Sequence, residues 1–224
     1  MFYANHWKQV TSPFQEPQDK QNFLTEWVCP SEGDVLLECG SSSGKTSIDF
    51  ARKSRCEVLG VDFEEHAVQV ANLMRDRHFP EVADRCQFVC DDLESMRFSK
   101  QFNKVLMPDF SEHIPDKVFK KILDNIREQL PHARLYIYTP LRSHLFEILK
   151  HRNIVLNNPS GHINVKTSRE LVDFLEQNGW QIQSIRWRES SIPIFKYIEK
   201  ALGHVPVIGT LFQRRIAIIA QPVV

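Results

Sequence analysis

The chain has 224 residues, and its 28 basic and 28 acidic side chains give a formal net charge of zero. A chain of this length favours one large domain that buries enough apolar surface to fold without disulfides or structural metals. Binding to phosphate backbones requires a surplus of Lys and Arg, so the neutral balance argues against a nucleic-acid partner.

The cysteines and the first residues set further expectations. The five cysteines include no Cys-x-x-Cys pair, so neither a disulfide framework nor a zinc knuckle is indicated, and buried free thiols are expected. The opening MFYANHWKQV lacks a basic head followed by an apolar core. No apolar run approaches the roughly 18 residues that span a bilayer. We therefore expect a cytoplasmic protein without stable membrane insertion and without a metal site.

Short apolar runs alternate with segments of helical period from Asp34 onward. This alternation predicts βαβ units. The expected fold class is α/β, with a seven-stranded, mostly parallel doubly wound sheet, helices on both faces and a C-terminal antiparallel strand. The predicted helices are 19–28, 45–53, 64–78, 116–130, 168–178 and 194–202. The predicted strands are 35–39, 57–61, 87–90, 104–107, 134–139, 180–187 and 215–221.

A glycine-containing loop follows the first predicted strand and reads Glu38-Cys39-Gly40-Ser41-Ser42-Ser43-Gly44-Lys45-Thr46. A phosphate-binding P-loop needs four residues between its glycines, whereas three stand here. Glu38 would also turn a carboxylate toward a polyphosphate, which is the wrong charge. The Gly-x-Gly-x-x-Gly pattern of dinucleotide folds is out of register as well.

The pattern Glu38-x-Gly40-x-Ser42-x-Gly44 resembles the first motif of the class I S-adenosylmethionine-dependent methyltransferases. Ser42 stands where that family usually has a glycine. Serine is the mildest replacement for that glycine if the backbone φ at this position is negative. The resemblance continues in order from residue 36 to residue 221, and includes Glu-His-Ile-Pro-Asp at 112–116 and Gly-His-Ile-Asn at 161–164. Several ordered elements make a stronger signal than the loop alone.

The resemblance implies S-adenosylmethionine as the cofactor. Asp62, at the end of the second strand, would accept hydrogen bonds from the ribose hydroxyls, as in other nucleoside-binding βαβ folds. Phe63 would lie against the adenine, and one of the two acids after the third strand would receive the adenine amino group. The expected cofactor-binding residues are Glu38, Gly40, Ser41, Ser42, Gly44, Asp62, Phe63, Asp91, Asp92, Leu93 and Met107.

Methyl transfer needs alignment and exclusion of water, and it needs a base only if the acceptor must lose a proton. His162 is the preferred base because an imidazole titrates near neutral pH. Asp109 is expected to line the transfer site, and His113 has a catalytic, cofactor-side or structural role. The further residues expected around the acceptor are Tyr138, His144 and the N-terminal Tyr3, His6 and Trp7.

The expected function is S-adenosylmethionine-dependent methylation of a small-molecule acceptor, with a mild preference for oxygen. The Asn/Asp-Pro-Pro-aromatic signature of nucleic-acid amino-methylating enzymes is absent from the sequence. Two alternatives remain open: a non-catalytic S-adenosylmethionine-binding regulatory or scaffold subunit, and a P-loop nucleotide hydrolase.

Residues 1–224 are expected to form a single methyltransferase domain in which 1–33 form an N-terminal cap. The segments 141–167 and 188–213 interrupt the alternation and are expected to line the acceptor pocket. Within the apolar stretch 192–212, a helix would place Phe195, Ile198 and Leu202 on one face. That stretch packs on the body, forms a homodimer surface, or covers a pocket for a lipophilic acceptor.

Overall fold

The computed structural model describes residues 19–144, 148, 162–188, 193–203, 205 and 209–223. The strands are β1 Val35–Cys39, β2 Glu57–Asp62, β3 Cys86–Cys90, β4 Lys104–Pro108, β5 Arg134–Pro140, β6 Trp180–Arg188 and β7 Arg215–Pro222. The helices are α1 Asp19–Val28, α2 Lys45–Ser54, α3 Glu65–His78, α4 Asp116–Gln129, α5 Ser168–Gln177 and α6 Pro193–Leu202. Short 3₁₀ turns cover Pro80–Val82, Ser111–His113 and Gly209–Phe212.

The seven strands form one sheet in the order β3-β2-β1-β4-β5-β7-β6. β1 pairs in parallel with β2 and β4, and β2 pairs in parallel with β3. β7 runs antiparallel to both β5 and β6. The predicted α/β fold is therefore confirmed. The strand order reverses between β1 and β4, which is where open α/β sheets bind their ligands.

The chain divides into two compact units. The first unit carries the described residues up to Leu106 together with Asn125–Ala133, and the second carries Met107–Asp124 and the described residues from Arg134 onward. The arrangement of residues 1–224 as a single domain stays a prediction. Among the helices that can be described, none combines the length and apolarity that crossing a bilayer requires.

An ion pair joins β1 to β4 at the start of both strands. Lys104 Nζ lies 2.7 Å from Asp34 Oδ2, and the side chain of Asn103 donates to Asp34 Oδ1 at 2.6 Å. Burial would raise the pKa of Asp34, but the hydrogen bonds from Lys104, Ser31 and Asn103 outweigh it and lower this pKa to about 2. These contacts hold the register at the point where the strand order reverses.

The second unit has its own core around β5, β6 and β7. Ile137 of β5 faces Ile218 of β7, and both side chains are fully buried. The rings of Phe119 and Phe174 stack with centroids 5.3 Å apart. Helix α5 begins at a capping box, in which the Thr167 hydroxyl accepts from the Glu170 N–H and the Glu170 carboxylate accepts from the Thr167 N–H.

The structure corrects one expectation about the cysteines. Cys39, Cys56 and Cys86 are buried as expected, but Cys29 and Cys90 are exposed. Both exposed thiols lie at positions where the chain leaves a regular element, so local packing does not cover them.

The predicted helix 194–202 is observed as α6. Ile198 of this helix is 40% exposed, while Glu199 is only 3% exposed. The physical reason is that Glu199 has a buried partner, since its Oε1 lies 3.2 Å from His144 Nε2. Burial of an acid is tolerated where such a partner is present.

Phe88 of β3 packs beneath the glycine loop. A Cβ on Gly60 would lie 2.6 Å from the Phe88 ring and 2.7 Å from Ser41 Cβ, and a Cβ on Gly44 would lie 2.5 Å from the same ring. All three distances are far below ordinary van der Waals contact. Gly44 and Gly60 therefore let an aromatic ring support the loop from below.

We expect Gly60→Ala to lower the free energy of unfolding by about 1–3 kcal/mol, because the added methyl group overpacks the site against Phe88. The measurement is urea denaturation. The matched control is the double variant Gly60→Ala/Phe88→Leu, in which the smaller side chain makes room and recovers part of the loss relative to Phe88→Leu alone. Additive effects of the two substitutions would contradict this packing.

Glu38 is an acid inside the otherwise apolar strand β1. Its side chain is fully buried, and its Oε2 accepts a hydrogen bond from the hydroxyl of Ser47 in the first turn of α2. Burial raises the pKa of Glu38 to about 7, and the hydrogen bonds from Ser47 oppose this rise. Glu38 therefore connects the strand that precedes the loop to the helix that follows it.

The raised pKa predicts a specific pH dependence of stability. The folded state holds the Glu38 proton more tightly than the unfolded state, whose pKa is near 4.5. The contribution of Glu38 is therefore fully present below pH 4.5 and is lost as the pH rises through 7. We expect the free energy of unfolding of Glu38→Gln, relative to that of the native chain, to rise by about 1–3 kcal/mol from pH 5 to pH 8. Urea denaturation at both pH values measures this, and an unchanged difference between the two proteins would contradict it.

Candidate functional site

The loop after β1 is tied to the end of β2 by backbone hydrogen bonds. The N–H groups of Gly40 and Ser41 both donate to the carbonyl oxygen of Val61, at 2.8 and 3.0 Å. Gly40 and Gly44 have φ values of +72° and +75°, a conformation that glycine adopts without steric cost. The two predicted glycines thus shape the turn, and Gly44 caps helix α2.

Ser42 occupies the middle position of the loop and has a φ of +47°. The condition under which serine was expected to be a mild replacement, a negative φ, is therefore not met. A residue with a side chain in this region carries a cost of about 1–2 kcal/mol. The loop keeps the left-handed turn despite the serine because the Ser42 N–H is held by Asp62.

Asp62 lies at the end of β2, next to the loop. Its Oδ2 accepts from the Ser42 N–H at 2.8 Å, and its Oδ1 accepts from the Glu64 N–H at 3.1 Å. Each carboxylate oxygen has a second lone pair that remains able to accept. The same side chain can therefore shape the loop, begin α3 and accept a further hydrogen bond from a ligand.

Two features beside Asp62 are suited to a ligand. The Phe63 ring is 72% exposed, which is unusual for a large apolar side chain. Ser41 is buried, and its Oγ has no hydrogen-bond partner among the described residues. An exposed ring, an unsatisfied buried hydroxyl and a carboxylate, all at the loop and the end of β2, are what a nucleoside would need for stacking and hydrogen bonding.

The acids after β3 take part in a turn. Asp91 Oδ1 accepts from the Asp92 N–H at 2.7 Å, and Asp92 Oδ1 accepts from the Glu94 N–H at 2.9 Å. Asp91 also donates its N–H to the Asp62 carbonyl at 3.2 Å, which places it beside the end of β2. Both side chains are exposed, whereas Leu93 is buried and anchors the turn to Asn125 through its carbonyl.

In the second unit, Asp109 follows β4 and has a φ of +53°. Its carboxylate forms an ion pair with Arg215 of β7. Burial would lower the pKa of Arg215, but Asp109 and its neighbours outweigh this and raise it above its usual range. The Asp109 carboxylate thus compensates the charge of the Arg215 guanidinium in the second unit.

Glu112, in the 3₁₀ turn after β4, is 1% exposed, the lowest value for an acid among the described residues of this unit. Its Oε2 accepts from the Thr139 hydroxyl at 3.0 Å, while its Oε1 has no hydrogen-bond partner among the described residues. Burial raises the pKa of Glu112 to about 7, and the neighbouring Asp109 carboxylate adds to this rise. Arg215 and Thr139 oppose it.

His113 and His162 come together beside Glu112. Their rings meet edge to face with centroids 4.9 Å apart. The segment that carries His162 is held on the 3₁₀ turn because the N–H groups of Ile163 and Asn164 both donate to the Glu112 carbonyl at 3.0 Å. The structure therefore brings two predicted catalytic residues into one cluster with a carboxylate.

Three further predicted residues are buried. Met107, which was expected among the cofactor-binding residues, is fully buried. Tyr138 is also buried, and its hydroxyl accepts from Arg188 at 3.0 Å. His144 forms the buried pair with Glu199 described above. Tyr3, His6 and Trp7, which were expected beside the cofactor and acceptor, lie outside the described residues.

Sequence reasoning missed three residues that shape these sites: Phe88, Glu112 and Arg215. Glu112 precedes His113 directly, and its place in a polar turn gave no sign of its burial. Arg215 lies 106 positions from Asp109, so no local pattern connects them. For Phe88, the two glycines that it contacts were the available signal.

Solved structures share this fold over nearly the whole chain. Magnesium protoporphyrin IX methyltransferase from Synechocystis PCC 6803, solved with bound SAH, is 14% identical with a TM-score of 0.69, covering 99% of this chain and 94% of that chain. Geranyl diphosphate C-methyltransferase from Streptomyces coelicolor A3(2), in complex with Mg²⁺, geranyl diphosphate and S-adenosyl-L-homocysteine, is 13% identical with a TM-score of 0.67, covering 96% and 81%.

A protein with a different reaction is also similar. A (4+2)-cyclase is 16% identical with a TM-score of 0.65, covering 92% of this chain and 81% of that chain. At these identities the likeness establishes the fold alone, since one fold carries many chemistries. No curated protein matches the sequence significantly.

The family is established by a sequence model rather than by these structures. The model of a methyltransferase domain matches residues 7–185, which is most of the chain. The chain therefore belongs to the methyltransferase domain family, and the resemblance to class I S-adenosylmethionine-dependent methyltransferases is confirmed.

Proposed function

We propose that this chain binds S-adenosylmethionine at the loop after β1 and methylates a small-molecule acceptor. The observation that carries the proposal is the arrangement at the end of β2. There the Asp62 carboxylate accepts from the loop at Ser42, the next residue Phe63 exposes its ring, and the buried Ser41 hydroxyl of the loop lacks a partner among the described residues.

These residues fit the cofactor by their chemistry. Asp62 would accept hydrogen bonds from the ribose hydroxyls, Phe63 would cover a face of the adenine, and the Ser41 hydroxyl would gain the partner that it lacks. Asp91 would receive the adenine amino group, because it lies beside Asp62 while Asp92 closes the turn. The loop backbone of Gly40, Ser42 and Gly44 would lie against the rest of the cofactor.

When bound, S-adenosylmethionine supplies a methyl carbon that the adjacent sulfonium already activates. The chain's own residues then need to hold the acceptor, exclude water and handle a proton where the acceptor has one to lose. His162 and His113, beside the buried Glu112, are the residues proposed for the proton, and Asp109 for the acceptor contact. This assignment favours an oxygen acceptor, because a hydroxyl must lose its proton.

A small-molecule acceptor is supported by the neutral charge of the chain and by its structural neighbours. One neighbour is named for a porphyrin and another for geranyl diphosphate, both of which are small molecules. The apolar helix α6 exposes Tyr197 and Ile198, which is compatible with a lipophilic acceptor. A homodimer through the same surface remains part of the proposal to be measured.

The non-catalytic alternative is tested by separating binding from turnover. The same fold carries a different reaction in the (4+2)-cyclase, and Ser42 departs from the family motif. Tight binding of S-adenosylmethionine without formation of the demethylated product, against a broad panel of acceptors, would favour this alternative. The P-loop alternative has little support, because carboxylates of Glu38 and Asp62 flank the loop.

We expect Asp62→Asn to weaken binding of S-adenosylmethionine by about 1–3 kcal/mol, because the ribose hydroxyls lose a charged acceptor. Phe63→Ala should also weaken binding, by about 1 kcal/mol, while leaving stability within about 0.5 kcal/mol because the ring is exposed. Calorimetric titration measures both affinities. The control is the exposed Asp84→Asn, and unchanged affinity in both site variants would remove the end of β2 from the cofactor site.

We expect His162→Ala to slow turnover more than it weakens cofactor binding. The reason is that His162 lies in the cluster of the second unit, whereas the proposed cofactor contacts lie in the first. The measurement follows the demethylated product by mass spectrometry with an acceptor identified from the panel. His132→Ala, at an exposed position, is the control. Equal rates for His162→Ala and the native chain would exclude His162 from catalysis.

A further inference from the structure

Three side chains of the second unit present metal-ligating atoms to one another. One ligand atom each from Glu112, His113 and His162 lies within 4.8 Å of the other two. Metal–nitrogen and metal–oxygen bonds of about 2.0–2.2 Å place ligand atoms about 3–4.4 Å apart. A shift of a few tenths of an ångström in each side chain would therefore bring all three into a coordination sphere.

The carboxylate of this cluster is an independent indication of a ligand. Glu112 is 1% exposed, and its Oε1 has no hydrogen-bond partner in the described part of the chain. A buried carboxylate oxygen without a partner is costly, and such atoms in native structures call for an explanation such as a bound ion. A cation at the cluster would satisfy this oxygen.

The cluster is held in place by a second layer of contacts. The Thr139 hydroxyl donates to Glu112 Oε2 at 3.0 Å and so orients the carboxylate. Asn164 holds the segment next to His162 by donating to the Ile114 carbonyl at 2.8 Å, and Lys166 Nζ donates to the Asn164 side chain at 2.7 Å. The Thr139 contact, which fixes the orientation of a proposed ligand, is of the kind found at metal sites.

The charges and ligand types indicate which ion fits. Asp109 and Arg215 balance each other in their ion pair, so an ionised Glu112 leaves one negative charge in the cluster. Two imidazoles and one carboxylate suit divalent transition-metal ions, whereas Mg²⁺ and Ca²⁺ favour oxygen ligands throughout. We propose that Glu112, His113 and His162 bind one divalent transition-metal ion of the Zn²⁺, Mn²⁺ or Fe²⁺ kind.

Three protein ligands leave coordination positions open for another molecule. An acceptor with two neighbouring oxygens, at least one of them a hydroxyl, would occupy them by chelation. With the ion bound, His113 and His162 would act as its ligands and not as the base proposed above. The ion would lower the pKa of the acceptor hydroxyl, and the proton would pass to solvent water. The oxygen then forms its bond to the methyl carbon as the carbon–sulfur bond breaks, and the sulfonium becomes a neutral thioether. This role rests on the proposed function, whereas binding of the ion does not.

The test uses the full, untagged chain, stripped with a chelator and then titrated with Co²⁺ as the spectroscopic probe. Equilibrium dialysis gives the stoichiometry, and visible absorption reports the ligands. We expect one equivalent of Co²⁺ with ligand-field bands and without a thiolate charge-transfer band, since the exposed Cys29 and Cys90 are not part of the site. A parallel dialysis uses Mn²⁺. If the chain binds one equivalent of neither Co²⁺ nor Mn²⁺, the proposal is overturned.

Variants assign the site. Glu112→Gln, His113→Ala and His162→Ala should each abolish stoichiometric binding, while the exposed His132→Ala should not. Thr139→Val keeps all three ligands and should weaken binding by about 10–100-fold, because it removes the contact that orients Glu112. Circular dichroism shows whether each variant is folded. His162→Ala changes a half-buried position and is therefore expected to fold even if Glu112→Gln does not. Undiminished binding by His162→Ala would overturn the site.

Calorimetric titration of S-adenosylmethionine into the same stripped protein separates this proposal from the proposed function. Cofactor binding without any bound Co²⁺ would refute the metal site and leave the methyltransferase function standing. Stoichiometric Co²⁺ without cofactor binding would support the metal site and refute the function.

Discussion

The carbonyl oxygen of Val61 is the point on which the rest of the first unit depends. It accepts from both Gly40 and Ser41, and the next residue, Asp62, accepts from Ser42. Three consecutive N–H groups of the loop are thus held by the last two residues of one strand. The loop after β1 therefore has the shape that β2 gives it. A ligand that contacts Asp62 and the loop therefore meets one connected structure. The Phe88 ring packs against Gly44 and Gly60 and supports that structure from below.

The second unit uses the same principle with a different pair of segments. A single carbonyl, that of Glu112, accepts from Ile163 and Asn164 and so carries the His162 segment. The residue that orients this segment through its backbone is also the one that places a carboxylate beside the two imidazoles. The backbone of Glu112 thus positions the His162 segment, and its side chain supplies the carboxylate of the cluster. Substitutions that keep its backbone but change its side chain separate the two roles.

The sequence predicted the fold well because fold class depends on local periodicity. Each predicted strand, from 35–39 to 215–221, lies within one or two residues of its observed bounds, since buried parallel strands read as apolar runs. The loop glycines and Asp62 were found because a family motif marks them. The sign of φ at Ser42 could not be read from the sequence, because its N–H is held by a residue 20 positions away. The partnership of His144 with Glu199 likewise spans 55 positions.

Two of the buried carboxylates, Glu38 in the first unit and Glu112 in the second, show what the sequence leaves undetermined. Glu38 and Glu112 both have a pKa raised to about 7, so both lower stability when ionised. Glu38 is accounted for by its contacts, because Ser47 supplies donors and the first turn of a helix favours a negative charge. Among the residues that the structure describes, Glu112 has a donor for one oxygen only. Glu112 is buried, has a hydrogen bond at one of its two carboxylate oxygens and lies next to two imidazoles, and the packing of apolar side chains does not explain this combination. A bound cation would explain its burial, its missing partner and its neighbours together.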